Sequence, residues 1–194
     1  VRKVAKVLEV LKKIGEWVLV FVAAFVLSLV LRNFVIDGRV VPTGSMLPTI
    51  QLKDHVMVDR LFYKMGDLER GDIIVFMAPE HPDLADLAGQ AMVKRLIGLP
   101  GETVEVRDGY VWIDGRVLNE PYVISGGKTA SEFASVKVPE GCYFVLGDNR
   151  EGSKDSRTWG FLDQKLVIGH VLFCYWPLEN FGGLAKPPAK YFDS

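Results

Sequence analysis

Cysteine and histidine are scarce in this chain, and each scarcity closes off a class of chemistry. Two cysteines among 194 residues, Cys142 and Cys174, cannot build the disulfide framework of a small secreted scaffold, and buried free thiols are expected over a single bridge. The three histidines, His55, His81 and His170, lie scattered with no Cys or acidic cluster at ligand spacing, so no metal and no other cofactor is expected. No serine sits with a convincing histidine partner. An excess of positive charge is also missing: 23 Lys and Arg against 24 Asp and Glu give a net charge of -1, which argues against a nucleic-acid partner. Internal repeats and low-complexity tracts are absent.

What the chain has in quantity is apolar surface, 49% of residues, much of it near the N-terminus. Trp17 to Leu31 carries no charge, and Phe34-Val35-Ile36 extends the apolar character past Arg32 and Asn33. With Ile14 and Gly15 the run approaches the roughly 20 residues of a membrane span. A cleaved signal peptide or a buried core helix are the competing readings, but the run ends Leu31-Arg32-Asn33-Phe34, without the small residues of a cleavage site. A retained single-pass anchor is expected. Arg2, Lys3, Lys6, Lys12 and Lys13 precede it, and only Arg32 and Arg39 lie between it and Ser45, so the positive-inside bias puts the N-terminus in the cytoplasm and the rest outside. Val1, Val4, Val7, Leu8, Leu11 and Ile14 recur at helical spacing among lysines, the pattern of a basic amphipathic helix on an anionic leaflet. The expected division is therefore 1–14 amphipathic segment, 15–36 membrane anchor, 37–181 extracytoplasmic β domain and 182–194 irregular, mobile tail.

Beyond the anchor the pattern turns β-like. Phe34 to Val41, His55 to Leu61, Asp72 to Met77, Met92 to Ile97, Thr103 to Trp112, Cys142 to Leu146 and Val167 to Trp176 are rich in β-branched and aromatic residues with turn formers between them. Asp108-Gly109 predicts a two-residue hairpin, and Asp114-Gly115 a further turn. The fold class expected is mainly β, an antiparallel-sheet domain behind one N-terminal transmembrane helix. Glu80 to Gln90 reads as a polar loop or short helix, and Ser125 to Ser135 as a second excursion.

Two runs carry chemistry. Ser45 follows Gly44 in Val41-Pro42-Thr43-Gly44-Ser45-Met46-Leu47-Pro48-Thr49, pinned by proline on both sides. Lys94 lies inside the apolar strand Met92 to Ile97, on the face it shares with Met92 and Leu96, while Val93, Arg95 and Ile97 point the other way and Arg95 can face water. A lysine among apolar side chains loses its proton more easily and can serve as a base near neutral pH. Either residue alone also fits a bland role, a turn serine or a lysine snorkelling at a strand edge.

Together the runs resemble the bacterial type I signal peptidases, a family of membrane-bound serine/lysine endopeptidases that remove signal peptides from exported preproteins. The resemblance rests on Gly44 to Thr49, Arg70 to Phe76, Lys94 to Gly101 and Gly147 to Gly160, four segments in order. It implies Ser45 as nucleophile and Lys94 as general base, with Ser153 hydrogen-bonded to Lys94 and orienting its amine. It further implies an oxyanion hole from the Ser45 N–H and the Thr43 hydroxyl, where many members carry serine, and an Asp155–Arg157 ion pair as structural support. For Asp148, Asn149 and Arg150, backbone support and direct contact with the site stand side by side. A substrate pocket is expected from Val41, Pro42, Met46, Ile50, Met92 and Val93, and Phe62 and Tyr63 are candidates for touching lipid. The implied partners are secretory preproteins and membrane lipid, with the chain acting as a monomer. A self-cleaving repressor would need a DNA-binding domain where this chain has its apolar run, and the endoplasmic-reticulum signal peptidases carry histidine at the position of Lys94. Pro48 stands where a penicillin-binding motif has its lysine. A tethered β module that binds extended peptides without cutting them is the alternative from another functional class.

Overall fold

The computed structural model describes residues 2–30, 35–66, 68–124, 129, 132–184 and 191–192; within the first helix it describes side chains at 9 and 12–29. That helix, α1 (Arg2–Val30), runs unbroken through the expected boundary at residue 14. Every described side chain from Lys12 to Leu29 is exposed, including Trp17 at 63% and Phe21 at 69%. Among the described residues no helix is long and apolar enough to cross a membrane; Lys12, Lys13 and Glu16 share the described stretch with the apolar residues. The side chains at 1–8 that would form the amphipathic face, together with Arg32, Asn33 and Phe34, lie outside the described residues.

The expected antiparallel β fold follows, as two sheets. The larger has the order β1 (Ile36–Val40), β2 (His55–Asp59), β11 (Val167–Trp176), β3 (Ile73–Met77), β4 (Ala91–Gly98), β9 (Cys142–Leu146) and β10 (Leu162–Asp163). The smaller has the order β7 (Arg116–Val117), β6 (Tyr110–Ile113), β5 (Thr103–Arg107) and β8 (Phe133–Lys137). Asp108 and Gly109 both adopt positive φ, 54° and 81°, giving the β5–β6 hairpin its tight turn, and Asp114-Gly115 does the same for β6–β7. Chain passes from one sheet to the other after Gly98, where a Cβ would lie 2.5 Å from Val104 Cγ2 and 2.9 Å from Phe144 Cβ. Only a residue without a side chain lets the strands cross that closely.

Three clusters form the core. Ile74, Phe76, Met92, Leu96 and Trp159 pack on one face of the large sheet, and Val41, Met46, Ile50, Val56, Val58 and Val75 on the other. Ile97, Val104, Ile113, Phe144 and Leu146 fill the space between the sheets. β3 and β4 are thus covered on both sides, which explains their near-continuous apolar sequence.

The structure departs from sequence expectation in several places. β8 begins inside the span 125–135 assigned to an excursion, and of its residues only Phe133 and Val136 reach the core, too weak an alternation to announce a strand. Arg95 does not face water: it is 1% exposed, because the second face of β4 is covered too. The tail is not free throughout. Asn119 N–H donates to the Tyr191 carbonyl at 2.8 Å, and the Arg70 and Arg116 guanidiniums lie over the Phe192 ring; residues 185–190 and 193–194 of that tail lie outside the described residues. Phe62 is exposed, whereas Tyr63 packs on the core and donates its hydroxyl to the Val167 carbonyl at 2.9 Å. Cys142 and Cys174 are free thiols.

Candidate active site

The loop between β1 and β2 carries Ser45. Val41 N–H donates to the Asp54 carbonyl at 2.9 Å and Ile50 N–H to the Met46 carbonyl at 3.0 Å, while Gln51 N–H donates to Asp54 Oδ2 at 2.8 Å. Met46 and Ile50 plug the loop into the core with no exposure at all. Pinned this way, the loop leaves Ser45 8% exposed at the floor of a cleft.

β4 brings Lys94 to the same place from across the sheet, its Cα paired with Ile74. The side chain is 3% exposed, and Nζ donates to Ser45 Oγ at 2.7 Å and to the Val93 carbonyl at 3.0 Å. Burial lowers its pKa from 10.5 to about 8, more than Asp155 and Asp148 raise it. A fair fraction of the amines is therefore neutral in mildly alkaline solution, and a neutral amine 2.7 Å from a hydroxyl can take its proton. Thr43 Oγ1 lies 3.4 Å from Ser45 Oγ.

The loop after β9 closes the site from behind. Asp155 accepts from Gly147 N–H at 3.0 Å, receives the Arg157 guanidinium through Nε and Nη2, each at 2.8 Å, and caps the short helix α2 (Ser156–Trp159). Asn149 N–H donates to the Ser45 carbonyl at 3.1 Å and its Nδ2 to the Gly44 carbonyl at 3.0 Å, so Asn149 supports the backbone of the Ser45 loop. Asp148 forks onto Arg95, with Nε to Oδ1 at 2.8 Å and Nη2 to Oδ2 at 2.6 Å, and accepts from Thr49 Oγ1. One carboxylate thereby ties the neighbour of Lys94 to the loop of Ser45. Thr49 and Arg95 were not singled out for this role by sequence; the signal available was a charged residue beside Lys94 in an otherwise apolar strand.

Two expectations need correcting. Ser153 does not bond Lys94: its hydroxyl is buried without a hydrogen-bond partner among the described residues, packed against Gly147, and the amine is engaged by Ser45 and the Val93 carbonyl instead. Met46 and Ile50 do not line the cleft, because they are spent on anchoring the loop. Val41, Pro42, Met92 and Val93 do line it, in a space of about 260 Å³ shared with Thr43, Ser45 and Lys94. Its far rim comes from Asp86, Leu87 and Gln90, in the stretch expected as a polar loop or short helix, and from Gly152 and Lys154 in the Gly147 to Gly160 segment; Lys154 Nζ donates to the Asp83 carbonyl at 3.1 Å and bridges to the Asp86 carboxylate. A larger hollow of about 460 Å³ beside Tyr63, Tyr143 and Lys165 has no Ser, Thr or Cys among its lining residues and does not approach the Ser45–Lys94 pair. Among the described residues no group of His, Cys, Asp or Glu is arranged to hold a metal ion.

Residues 14–176 match the family model described as signal peptidase, peptidase S26. The probable signal peptidase I-1 of Synechocystis sp. is 44% identical over 175 residues, covering 89% of this chain and 88% of its own length. Signal peptidase IB of Staphylococcus aureus is 33% identical over 186 residues, covering 88% of this chain and 93% of its own. The crystal structure of a signal peptidase I from Enterococcus faecalis V583 aligns at a TM-score of 0.44 with 42% identity, over 54% of this chain and 97% of that one.

Proposed function

The chain belongs to the signal peptidase family, peptidase S26, and from that membership we propose that it is a membrane-anchored endopeptidase removing N-terminal signal peptides from exported preproteins, with Ser45 as nucleophile and Lys94 as base. The observation that carries the reading is the 2.7 Å contact between Lys94 Nζ and Ser45 Oγ, made by a lysine that is 3% exposed. Lys94 takes the hydroxyl proton as Ser45 Oγ attacks the scissile carbonyl. The Ser45 N–H and the Thr43 hydroxyl hold the oxygen that turns negative, and Lys94 then returns its proton to the leaving amine. Water attacks the acyl-enzyme by the same route, Lys94 accepting its proton and passing it to Ser45 Oγ as the acyl group leaves. Asp155 with Arg157, and Asp148 with Arg95, keep the two halves of the site in register.

The substrate enters as an added strand along the cleft, its backbone bonded without regard to sequence. In an extended peptide the first and third residues before the cleaved bond share a face. Both meet the apolar wall of Val41, Pro42, Met92 and Val93, with Met46 and Ile50 packed behind it, so small side chains fit and bulky or charged ones displace the strand from Ser45.

The helix supports the anchor. Its exposed aromatic and aliphatic side chains surround the axis from Trp17 to Leu29, a distribution that suits lipid on every side, and the apolar sequence continues to Leu31. Lys12 and Lys13 mark the cytoplasmic end. At most about 45 Å of extended chain separates Arg32 from Ser45, so the site works close to the outer surface of the membrane.

The test is incubation of the detergent-solubilised protein with a secretory preprotein beside a Ser45→Ala control, using substrates with Ala, Ser, Leu or Phe at those two positions. Processing to one new N-terminus after Ala or Ser, absent in the control, is expected. Binding of the preprotein without cleavage would make the chain a peptide-binding module, and efficient cleavage after Leu or Phe would sink the pocket while leaving the dyad standing.

A further inference from the structure

Behind the nucleophile lies a second buried ion pair, one of whose partners belongs to none of the motifs that carry the family resemblance. Glu120 follows β7 in a connecting segment, yet its side chain is fully buried. Arg150 donates to both of its oxygens, Nη1 to Oε2 at 2.8 Å and Nη2 to Oε1 at 2.5 Å, and the Tyr122 hydroxyl donates to Oε1 at 2.9 Å. The Tyr122 ring in turn lies 3.9 Å from the Arg95 guanidinium. Arg150 does more than neutralise Glu120. Its Nε donates to the Gly147 carbonyl at 3.0 Å and its own carbonyl accepts from Arg157 Nη2 at 2.6 Å, so the guanidinium folds the turn 147–150 around itself. Asn149, inside that turn, holds the Gly44 carbonyl. The Gly44 carbonyl and the Ser45 N–H belong to one rigid peptide plane, so whatever fixes the carbonyl also aims the N–H.

We propose that Glu120 is a positioning residue, setting through Arg150 and Asn149 the direction of the Ser45 N–H that receives the developing oxyanion. The proposal rests on the reading of Ser45 as nucleophile. Stability alone is a poor reason to keep this pair, because buried ion pairs are often replaceable by apolar residues without loss. The connection to one particular peptide plane gives it a specific use. Without Glu120, Arg150 is left charged and buried, and Asp148, a further carboxylate near it, already holds Arg95. The turn must then shift to hydrate or re-pair the guanidinium, and the N–H shifts with it. Such a misalignment is felt in the transition state, where the oxygen carries charge, and little in substrate binding.

The experiment measures preprotein cleavage by the full-length enzyme in detergent micelles, well below each variant's melting temperature. Glu120→Gln is expected to lower kcat by about tenfold to a hundredfold with KM changed by less than about twofold. Glu120→Asp, which keeps the charge, should recover most of kcat, and Glu105→Gln, a carboxylate lost from an exposed pair with Arg107, should change neither constant. Should Glu120→Gln fail to fold, Tyr122→Phe carries the test: a several-fold fall in kcat at unchanged melting temperature supports the proposal. Unchanged kcat in Glu120→Gln, or in Tyr122→Phe where that variant decides, alongside an inactive Ser45→Ala enzyme, overturns it. Cleavage by Ser45→Ala itself would remove the nucleophile reading instead, a separate and recognisable failure.

Discussion

Replacing Lys94 with methionine should stabilise this protein, and the gain should depend on pH in a way fixed by the buried amine. Methionine fills much the same volume without a charge. The fall of the lysine pKa from 10.5 to about 8 corresponds to about 3 kcal/mol of penalty for holding the charged form in the fold. Between those two values the unfolded chain binds more protons than the native one, so wild-type stability rises with pH across that window. Below about pH 8 the penalty is present in full, and by about pH 10.5 it has gone. Against this, the variant loses the bonds from Nζ to Ser45 Oγ and the Val93 carbonyl, about 1 kcal/mol each. Lys94→Met should therefore be more stable than wild type by about 1 kcal/mol at pH 7, and the difference should decline by about 3 kcal/mol, changing sign, as the pH approaches 10.5. Urea unfolding of the full chain in mild detergent, followed by tryptophan fluorescence at a series of pH values, measures it. A stability difference that does not vary with pH would mean that folding leaves the Lys94 amine unperturbed, and the base would have to be sought elsewhere.

Three further outcomes are expected. Gly147→Ala places a Cβ 2.5 Å from the Ser45 carbonyl oxygen, so the Ser45 loop must move, and single-turnover cleavage should slow by about a hundredfold. Asp148→Asn leaves the Arg95 cation buried without its carboxylate and should cost about 3–5 kcal/mol in urea unfolding, more than any exposed ion pair such as Arg107–Glu105. Protease added to sealed right-side-out vesicles should digest the β domain and spare the N-terminal segment; protection of the β domain would reverse the proposed topology.

The strands that sequence foretold best are those whose chemistry is local. β2 alternates and β3 is apolar throughout, and the two Asp-Gly turns announce themselves because few residues accept positive φ. β8 and β10 escaped because their partners, not their composition, make them strands. The same division runs through the site. Ser45 and Lys94 stand out in their own runs, but Arg95 read as solvent-facing because its partner, Asp148, lies 53 residues away in sequence and only the fold brings them together. Met46 and Ile50 are apolar and close to Ser45 in sequence, which fits a pocket wall as well as a loop anchor; only the three-dimensional direction of each side chain separates the two. Glu120 carried no signal at all, one carboxylate in an unremarkable connection.

The central claim is that Ser45 and Lys94 act as one unit, and a mutant cycle on preprotein cleavage tests it most directly. Rates are measured for Ser45→Ala, Lys94→Ala and the double variant, with Lys94→Arg alongside because a guanidinium does not give up its proton. Each single variant and Lys94→Arg should fall to the same residual rate, and the double variant should be no slower than either single one. Losses that add in the double variant, or substantial cleavage by Lys94→Ala, would contradict a shared proton transfer and point to another base, with His55 the first to be examined.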